Sequence, residues 1–233
     1  GALTPVAKIQ PINIGGVKVS NATLHNEDEI KRKDVRVGDT VTVERAGDVI
    51  PHILAVDINK RPKKSIKFLF PKNCPSCGSK TTKEYNETTK KNDAVRRCTS
   101  EGYECEKISI EKLKHFVSKE AFNIDGLGKK IIENFWKLKL IRLPQDIFRL
   151  DYKRIENLEG WGKLSVENLK YSINEKKNIP LERLIYALGI RHIGLENAKL
   201  LSKFFKTFSK FQELSNKKNY NDLLNVDKIG ETQ

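Results

Sequence analysis

The chain has 233 residues, 38% of them apolar and 32% charged, with a net charge of +14. That length allows two or three small domains with cores of their own and excludes a chain disordered throughout. No apolar run approaches the roughly 18 residues of a membrane span, and no charged-then-apolar leader opens the sequence, so cytosol is the expected compartment. The positive charge fits a polyanionic partner, and a lysine-rich composition with solvated faces would give the same total. Starting at Gly1 and lacking methionine, the sequence is expected to be a fragment. Its end is expected to be cut too, because Lys228-Ile229-Gly230 should open a helix and only three residues follow.

Residues 1–70 are expected to form an all-β domain. Leu3 to Ile9 and Val17 to Ser20 carry apolar residues at strand spacing. Asn26 is placed to cap a short helix beginning at Glu27. Thr40 to Arg45 alternates β-branched and polar residues, Ala46-Gly47-Asp48 turns the chain, and Val49 to Val56 returns as an apolar strand. Pro51 marks that strand as an edge or a bulge. Short strands with one small helix fit a Greek-key barrel of OB type, with a generic β-barrel as the alternative.

Residues 71–107 form the second expected domain, after a basic, proline-punctuated stretch. Cys74-Pro75-Ser76-Cys77 is a C-x-x-C knuckle followed by Gly78, and Cys98 and Cys105 complete a quartet. A segment this short needs a staple. Two ligand pairs converging on one ion suit tetrahedral, structural zinc with thiolate ligands and no open position for substrate. The alternatives are a redox dithiol or four unrelated thiols. A redox pair usually sits in a βαβ context, which is absent.

Residues 108–233 are expected to be all-α. Val166, Leu169 and Ile173 recur at helical spacing, as do Ala198, Leu201, Phe205 and Phe208. Most of these aromatics are expected to be core. Four turns look alike. They are Ile124-Asp125-Gly126-Leu127-Gly128, Leu158-Glu159-Gly160-Trp161-Gly162, Ile190-Arg191-His192-Ile193-Gly194 and Val226-Asp227-Lys228-Ile229-Gly230. Their final glycines are 34, 32 and 36 residues apart, an internal repeat. Glycine lets backbone turn tightly and approach a ligand, and the helix that follows presents unpaired N–H groups to an anion such as a DNA phosphate. Gly126, Gly128, Gly160, Gly162, Gly194 and Gly230 are therefore candidate DNA contacts, with Lys129, Lys130 and Lys163 adding charge just past the turns. His192 and Lys228 replace the first glycine of the last two turns, which leaves those turns either structural or contacting DNA through side chains. Plain helix–helix connection with glycine caps is the competing reading.

No phosphate-binding P-loop and no dinucleotide fingerprint occurs, and His25, His52, His115 and His192 show no catalytic spacing. No catalytic residue is assigned.

Taken in order, the motifs resemble the C-terminal part of bacterial NAD-dependent DNA ligases. The carriers are Gly1 to Ala7, Val19 to Asn26 and Arg45 to Pro51 in the barrel, the cysteine quartet, His115 to Ser118, Asp125 to Gly128 and Ala187 to Arg191. The resemblance covers essentially the whole chain. It implies an OB domain, a four-cysteine zinc finger and a helix-hairpin-helix domain, together the DNA clamp of an enzyme that seals nicks. It implies Arg45 as the first DNA contact of the barrel, with Asn21 and His25 behind it, and a finger that fixes the orientation of its neighbours. The family's lysine, adenylated from NAD with magnesium assisting, belongs to an upstream nucleotidyltransferase domain. Asn123-Ile124-Asp125-Gly126 is only a look-alike of that motif, and the terminal BRCT domain is missing as well. The chain alone is thus expected to be inactive and to bind neither NAD nor magnesium. Expected partners are nicked duplex DNA and the missing N-terminal nucleotidyltransferase domain, with no membrane, in a monomer that is cytoplasmic and nucleoid-associated. The alternative is a stand-alone, non-catalytic DNA-binding or scaffold protein built from the same modules.

Overall fold

The computed structural model describes residues 1–45, 50–87 and 89–214, with the isolated positions 223, 226, 229 and 230. It divides into two compact units, Gly1–Cys105 and Glu106–Gln233. No helix among the described residues is long and apolar enough to cross a membrane.

In the first unit, β1 (Val6–Ile14) and β2 (Val17–Thr23) form an antiparallel hairpin. Gly15 and Gly16 turn it with φ of 57° and 79°, the left-handed pair that a tight hairpin turn demands. Helix α1 (Glu27–Lys33) follows. The Asn26 side chain caps it by accepting the Glu29 N–H, three acidic residues fill its first turn and three basic ones its last. Both ends thereby complement the helix dipole. Strands β3 (Thr40–Glu44) and β4 (His52–Asp57) pair antiparallel, and β4 meets β2 in parallel, giving the order β1-β2-β4-β3. Ala22, Leu24, Ile30, Val35 and Ile53 make the core, with Ile9, Val41, Val43, Val56 and Phe70 packed around it.

Three details differ from the sequence expectation. Residues 1–3 leave the barrel and pair with the strand that ends at Cys98. The Leu3 N–H donates to the Arg96 carbonyl and the Cys98 N–H to that of Gly1, both at 2.9 Å. The strand expected from Val49 begins only at His52, after Pro51, which has no N–H to donate. The Pro51 carbonyl still accepts the Thr23 N–H at 2.7 Å. The proline that coincides with a bulge is Pro11, because the β1–β2 register shifts between Lys8 and Ile12. The expected turn at Ala46-Gly47-Asp48 lies outside the described residues.

The second unit is helical. Its elements are α2 (Glu106–Phe116), α3 (Lys129–Lys137), a 3-10 turn (Pro144–Arg149), α4 (Tyr152–Glu156), α5 (Lys163–Glu175), α6 (Leu181–Ala187), α7 (Leu195–Phe205) and α8 (Phe208–Leu214). Leu113, Ile132, Phe135, Ile147, Ile155, Leu169 and Ile173 are fully buried. Further along, Ile185, Ile193, Ala198, Leu201, Phe205 and Ile229 share one cluster. Phe116 stacks on Phe122 at 4.1 Å. Phe208 is the exception among the expected core aromatics, at 50% exposure. Helix α7 ends at Phe205, and Lys206 takes φ 62°. The 3.6-residue period therefore stops before Phe208, which starts a new helix.

A charged knot ties the stretch after α1 to the stretch that follows β4. Arg61 pairs with Asp39 at 2.9 Å and with Asp34 at 2.6 Å, and Arg36 meets Asp34 at 2.7 Å. Hydrogen bonds from Arg36 and Arg61 bring the Asp34 carboxyl down to about 2, and those from Arg32 and Lys33 bring Glu29 to about 2. A carboxylate whose folded pKa is depressed stabilises above its unfolded pKa and loses that contribution as pH falls through the folded value. The melting temperature of this unit is expected to drop as pH is lowered from about 4 toward 2. Asp34→Asn should flatten that slope in a thermal-melt series, and an unchanged slope would remove Asp34 from the account.

Candidate metal centre and nucleic-acid interface

The cysteine segment is a two-stranded ribbon, β5 (Thr81–Asn86) antiparallel to β6 (Lys91–Cys98), with a knuckle before it. The Cys74 N–H donates to the Ser79 carbonyl at 2.7 Å and the Gly78 N–H to that of Cys74 at 2.9 Å. Gly78 takes φ 76°, which folds Cys77 back toward Cys74. Cys98 closes β6, and Cys105 immediately precedes α2. The four sulfurs all lie within 4.8 Å of one another. Cys74 Sγ is 4.0 Å from Cys105 Sγ, and Cys77 Sγ is 3.5 Å from Cys98 Sγ. Metal–sulfur bonds of about 2.3 Å in a tetrahedron put sulfurs about 3.8 Å apart, so the quartet can hold a metal ion.

The charge balance agrees. Hydrogen bonds with Ser79 bring the Cys77 thiol down to about 6, while burial pushes Cys98 up to about 12. Four thiolates this close cannot all ionise without a cation between them. The Ser100 N–H donates to Cys98 Sγ at 3.4 Å, the kind of outer contact that orients a thiolate ligand. All four ligand positions can come from protein, which leaves no open position for substrate. The C-x-x-C sits in a knuckle flanked by the Asn73–Lys80 bridge.

The helical unit repeats one backbone device. In each glycine turn the N–H of the plugging residue donates to the carbonyl three positions back. These bonds are Leu127 to Ile124 at 3.4 Å, Trp161 to Leu158 at 3.0 Å, Ile193 to Ile190 at 3.1 Å and Ile229 to Val226 at 3.0 Å. Leu127, Ile193 and Ile229 are buried, and Trp161 is half-buried against Phe135 at 5.5 Å. The third position is left-handed, with φ of 89° at Gly126, 79° at Gly160 and 66° at His192. Gly128, Gly162 and Gly194 then cap α3, α5 and α7. These capping glycines are exposed, as are Lys129, Lys130, Lys163 and His192. Glu196 occupies the first turn of α7 and pairs with Lys199 at 2.7 Å, so the third turn lacks the cationic flank of the first two. Gly230 is exposed, and Lys228 lies outside the described residues.

The two kinds of glycine differ physically. Gly126 and Gly160 hold a backbone that side chains avoid. Gly128, Gly162 and Gly194 have ordinary φ, and a Cβ added there meets nothing within 4 Å. Among the described residues no neighbour demands glycine at those three positions, beyond its modest preference as an N-cap.

In the barrel, the end of β2 and the start of β4 gather the expected residues. Asn21 is exposed on β2, its amide 3.3 Å from the Ser20 hydroxyl. His25 is exposed at φ 58°, its N–H donating to Thr23 Oγ1 at 3.0 Å. Arg45 follows β3 and is half-buried. His52 was missed by sequence reasoning. Its ring lies 5.7 Å from that of His25, and its Nε2 is 3.4 Å from Glu44. A β3–β4 hairpin register placing residue 52 opposite residue 44 was the available signal.

Comparison with known proteins follows the same division. Residues 1–65 match the family model of the NAD-dependent DNA ligase OB-fold domain, and residues 183–232 that of the helix-hairpin-helix motif. A DNA ligase of Pelagibacter ubique is 73% identical over 233 residues, covering all of this chain and 34% of that protein. One from Xanthobacter autotrophicus is 51% identical over 213 residues, 89% of this chain and 29% of that protein. One from Beijerinckia indica is 47% identical over 241 residues, 99% of this chain and 34% of that protein. The chain spans about a third of the length of the curated relatives it matches.

Two outcomes are expected. Cys98→Ser should lose bound metal and open residues 74–105 to protease, and retained metal with full protection would contradict the four-sulfur site. Gly126→Ala should lower stability by about 1–2 kcal/mol because of its left-handed φ. Gly128→Ala should cost only about 0.5 kcal/mol, the advantage of glycine over alanine at an N-cap. Thermal melts of the two proteins decide between them.

Proposed function

Because the chain belongs to the NAD-dependent DNA ligase family, we propose that it is the DNA-gripping portion of an enzyme that seals 5′-phosphate/3′-hydroxyl nicks in duplex DNA. The observation that carries this reading is the second set of glycines. Gly128, Gly162 and Gly194 have room for a side chain and no conformational need to lack one. An outside body that must approach the backbone closely explains them, and a phosphate at a helix N-terminus is such a body. Helices α3, α5 and α7 each offer unpaired N–H groups and a positive dipole end there. Lys129, Lys130 and Lys163 reach the same phosphates. The third hairpin grips less strongly, because Glu196 repels the anion that its neighbours attract.

In the barrel, Arg45, Asn21 and His25 contact the duplex near the nick, with His52 beside them. Gly126, Gly160, His192, Lys228 and Gly230 complete the contact set. The cysteine quartet holds zinc, since four thiolates in a closed tetrahedral cage suit that ion. When bound, zinc supplies the folding energy of the ribbon and no reaction step. NAD and magnesium serve the whole enzyme through the adenylated lysine of its nucleotidyltransferase domain. The chain divides functionally into residues 1–70, 71–107 and 108–233, and works as a monomer in the cytoplasm on nucleoid DNA.

Phosphate grips position a protein without reading sequence. Gly128→Val and Gly162→Val should each cost about 1.5–3 kcal/mol of duplex affinity, the worth of a hydrogen bond to a charged group. Neither should alter preference among duplex sequences. Wild-type affinity in both would make the turns purely structural and sink the proposal.

A further inference from the structure

The ribbon meets the first turn of α1 through two carboxylates, Glu27 and Asp28, of which Glu27 is the buried one. Glu27 opens α1 and is buried, at 7% exposure. Its side chain lies 2.9 Å from Arg96 of β6, 2.8 Å from Lys31 of its own helix and 4.0 Å from Lys83 of β5. Lys83 also pairs with Asp28 at 2.6 Å. Arg96 is anchored behind, its Nη1 donating to the Thr81 carbonyl at 3.0 Å, and it stands two residues from the metal ligand Cys98. Burial opposes the charge of Glu27, but the hydrogen bonds from Lys31 and Arg96 outweigh it, and the carboxyl stays below its ordinary pKa. A buried charge stripped of its partner is strongly unfavourable, so the start of α1 follows Arg96.

That start is also one end of the His25 turn. Asn26 caps the helix, accepting the Glu29 N–H at 2.9 Å. His25, next before it, holds a left-handed φ of 58° that a non-glycine residue keeps only when its surroundings impose it. Thr23 clamps one side of this turn through its 3.0 Å bond from the His25 N–H. Glu27, held by the ribbon, clamps the other.

We infer that Arg96 is a positioning residue for the DNA face of the barrel: through Glu27 it fixes the first turn of α1, and with it His25. This rests on the proposed role of His25 at the duplex. The ribbon then acts on DNA binding without touching DNA. Metal loss and loss of Arg96 weaken binding by the same route.

The test titrates a nicked duplex with the wild-type chain, Arg96→Gln, Arg96→Lys and the double variant Glu27→Gln/Arg96→Gln, and records the histidine ring NMR signals of each free protein. Arg96→Gln should bind roughly 5-fold to 150-fold more weakly, the usual range of coupling between sites. It should shift the His25 and His52 signals while His115 and His192 stay in place. Its slope of log affinity against log salt should match wild type, because no phosphate contact is lost. Arg96→Lys should recover most of the affinity. Wild-type affinity in Arg96→Gln overturns the inference, as does weaker binding with His25 unmoved or with a shallower salt slope. If Arg96→Gln does not fold, the double variant, which carries no orphaned charge, decides by the same readouts. A wild-type chain that binds no duplex overturns the proposed function instead, and the His25 signal then judges the mechanical link alone.

Discussion

Four sulfur atoms within 4.8 Å of one another govern the stretch between barrel and helices. The segment carrying them has little apolar material, so backbone pairing alone cannot hold it. What the cluster fixes reaches further than its own knuckle. Cys98 ends the strand that pairs with residues 1–3 and carries Arg96, the partner of Glu27. Cys105 sits at the first residue before α2. On the inference drawn above, a cation that neutralises the quartet sets the ribbon, and the ribbon sets the first turn of α1.

The helical unit solves a different problem. In the proposed function it presents backbone to an anion repeatedly, without a side chain in the way. Each of the first three repeats spends one residue on making the turn, through a left-handed φ, and a second on leaving space in front of a helix. The apolar residue between them plugs the core and fixes the spacing. The third repeat keeps the capping Gly194 but departs from the first two at two other positions. His192 carries the strained φ without being glycine, and Glu196 puts negative charge where Lys130 stands after the first turn. Repetition of the fold is thus more faithful than repetition of the grip.

Much of this was legible in the sequence because it depends on local constraint. Paired cysteines, glycine spacing, β-branched alternation in Thr40 to Glu44 and the Asn26 cap each act within a few residues. The misses came where distant segments decide. Leu3 reads as the start of a barrel strand, yet its N–H goes to Arg96, and Gly1 accepts from Cys98, about a hundred residues on. Phe208 continued a helical stripe in the sequence, and only the left-handed turn at Lys206 shows that the helix has already ended. His52 looked like an isolated histidine until the β3–β4 register and the parallel contact of β2 with β4 set it beside His25. Arg96 and Glu27 carry no motif at all, since an ion pair between positions 69 residues apart leaves no local pattern.

In the proposed function, this chain grips duplex DNA at a nick through backbone phosphates. The most direct measurement is its affinity for a nicked and an intact duplex of identical sequence across a salt series. Phosphate contacts release counterions, so log affinity should fall linearly and steeply with log salt, and the nicked duplex should bind more tightly at every salt concentration. Absence of binding at low salt, or an affinity indifferent to salt, would contradict the claim.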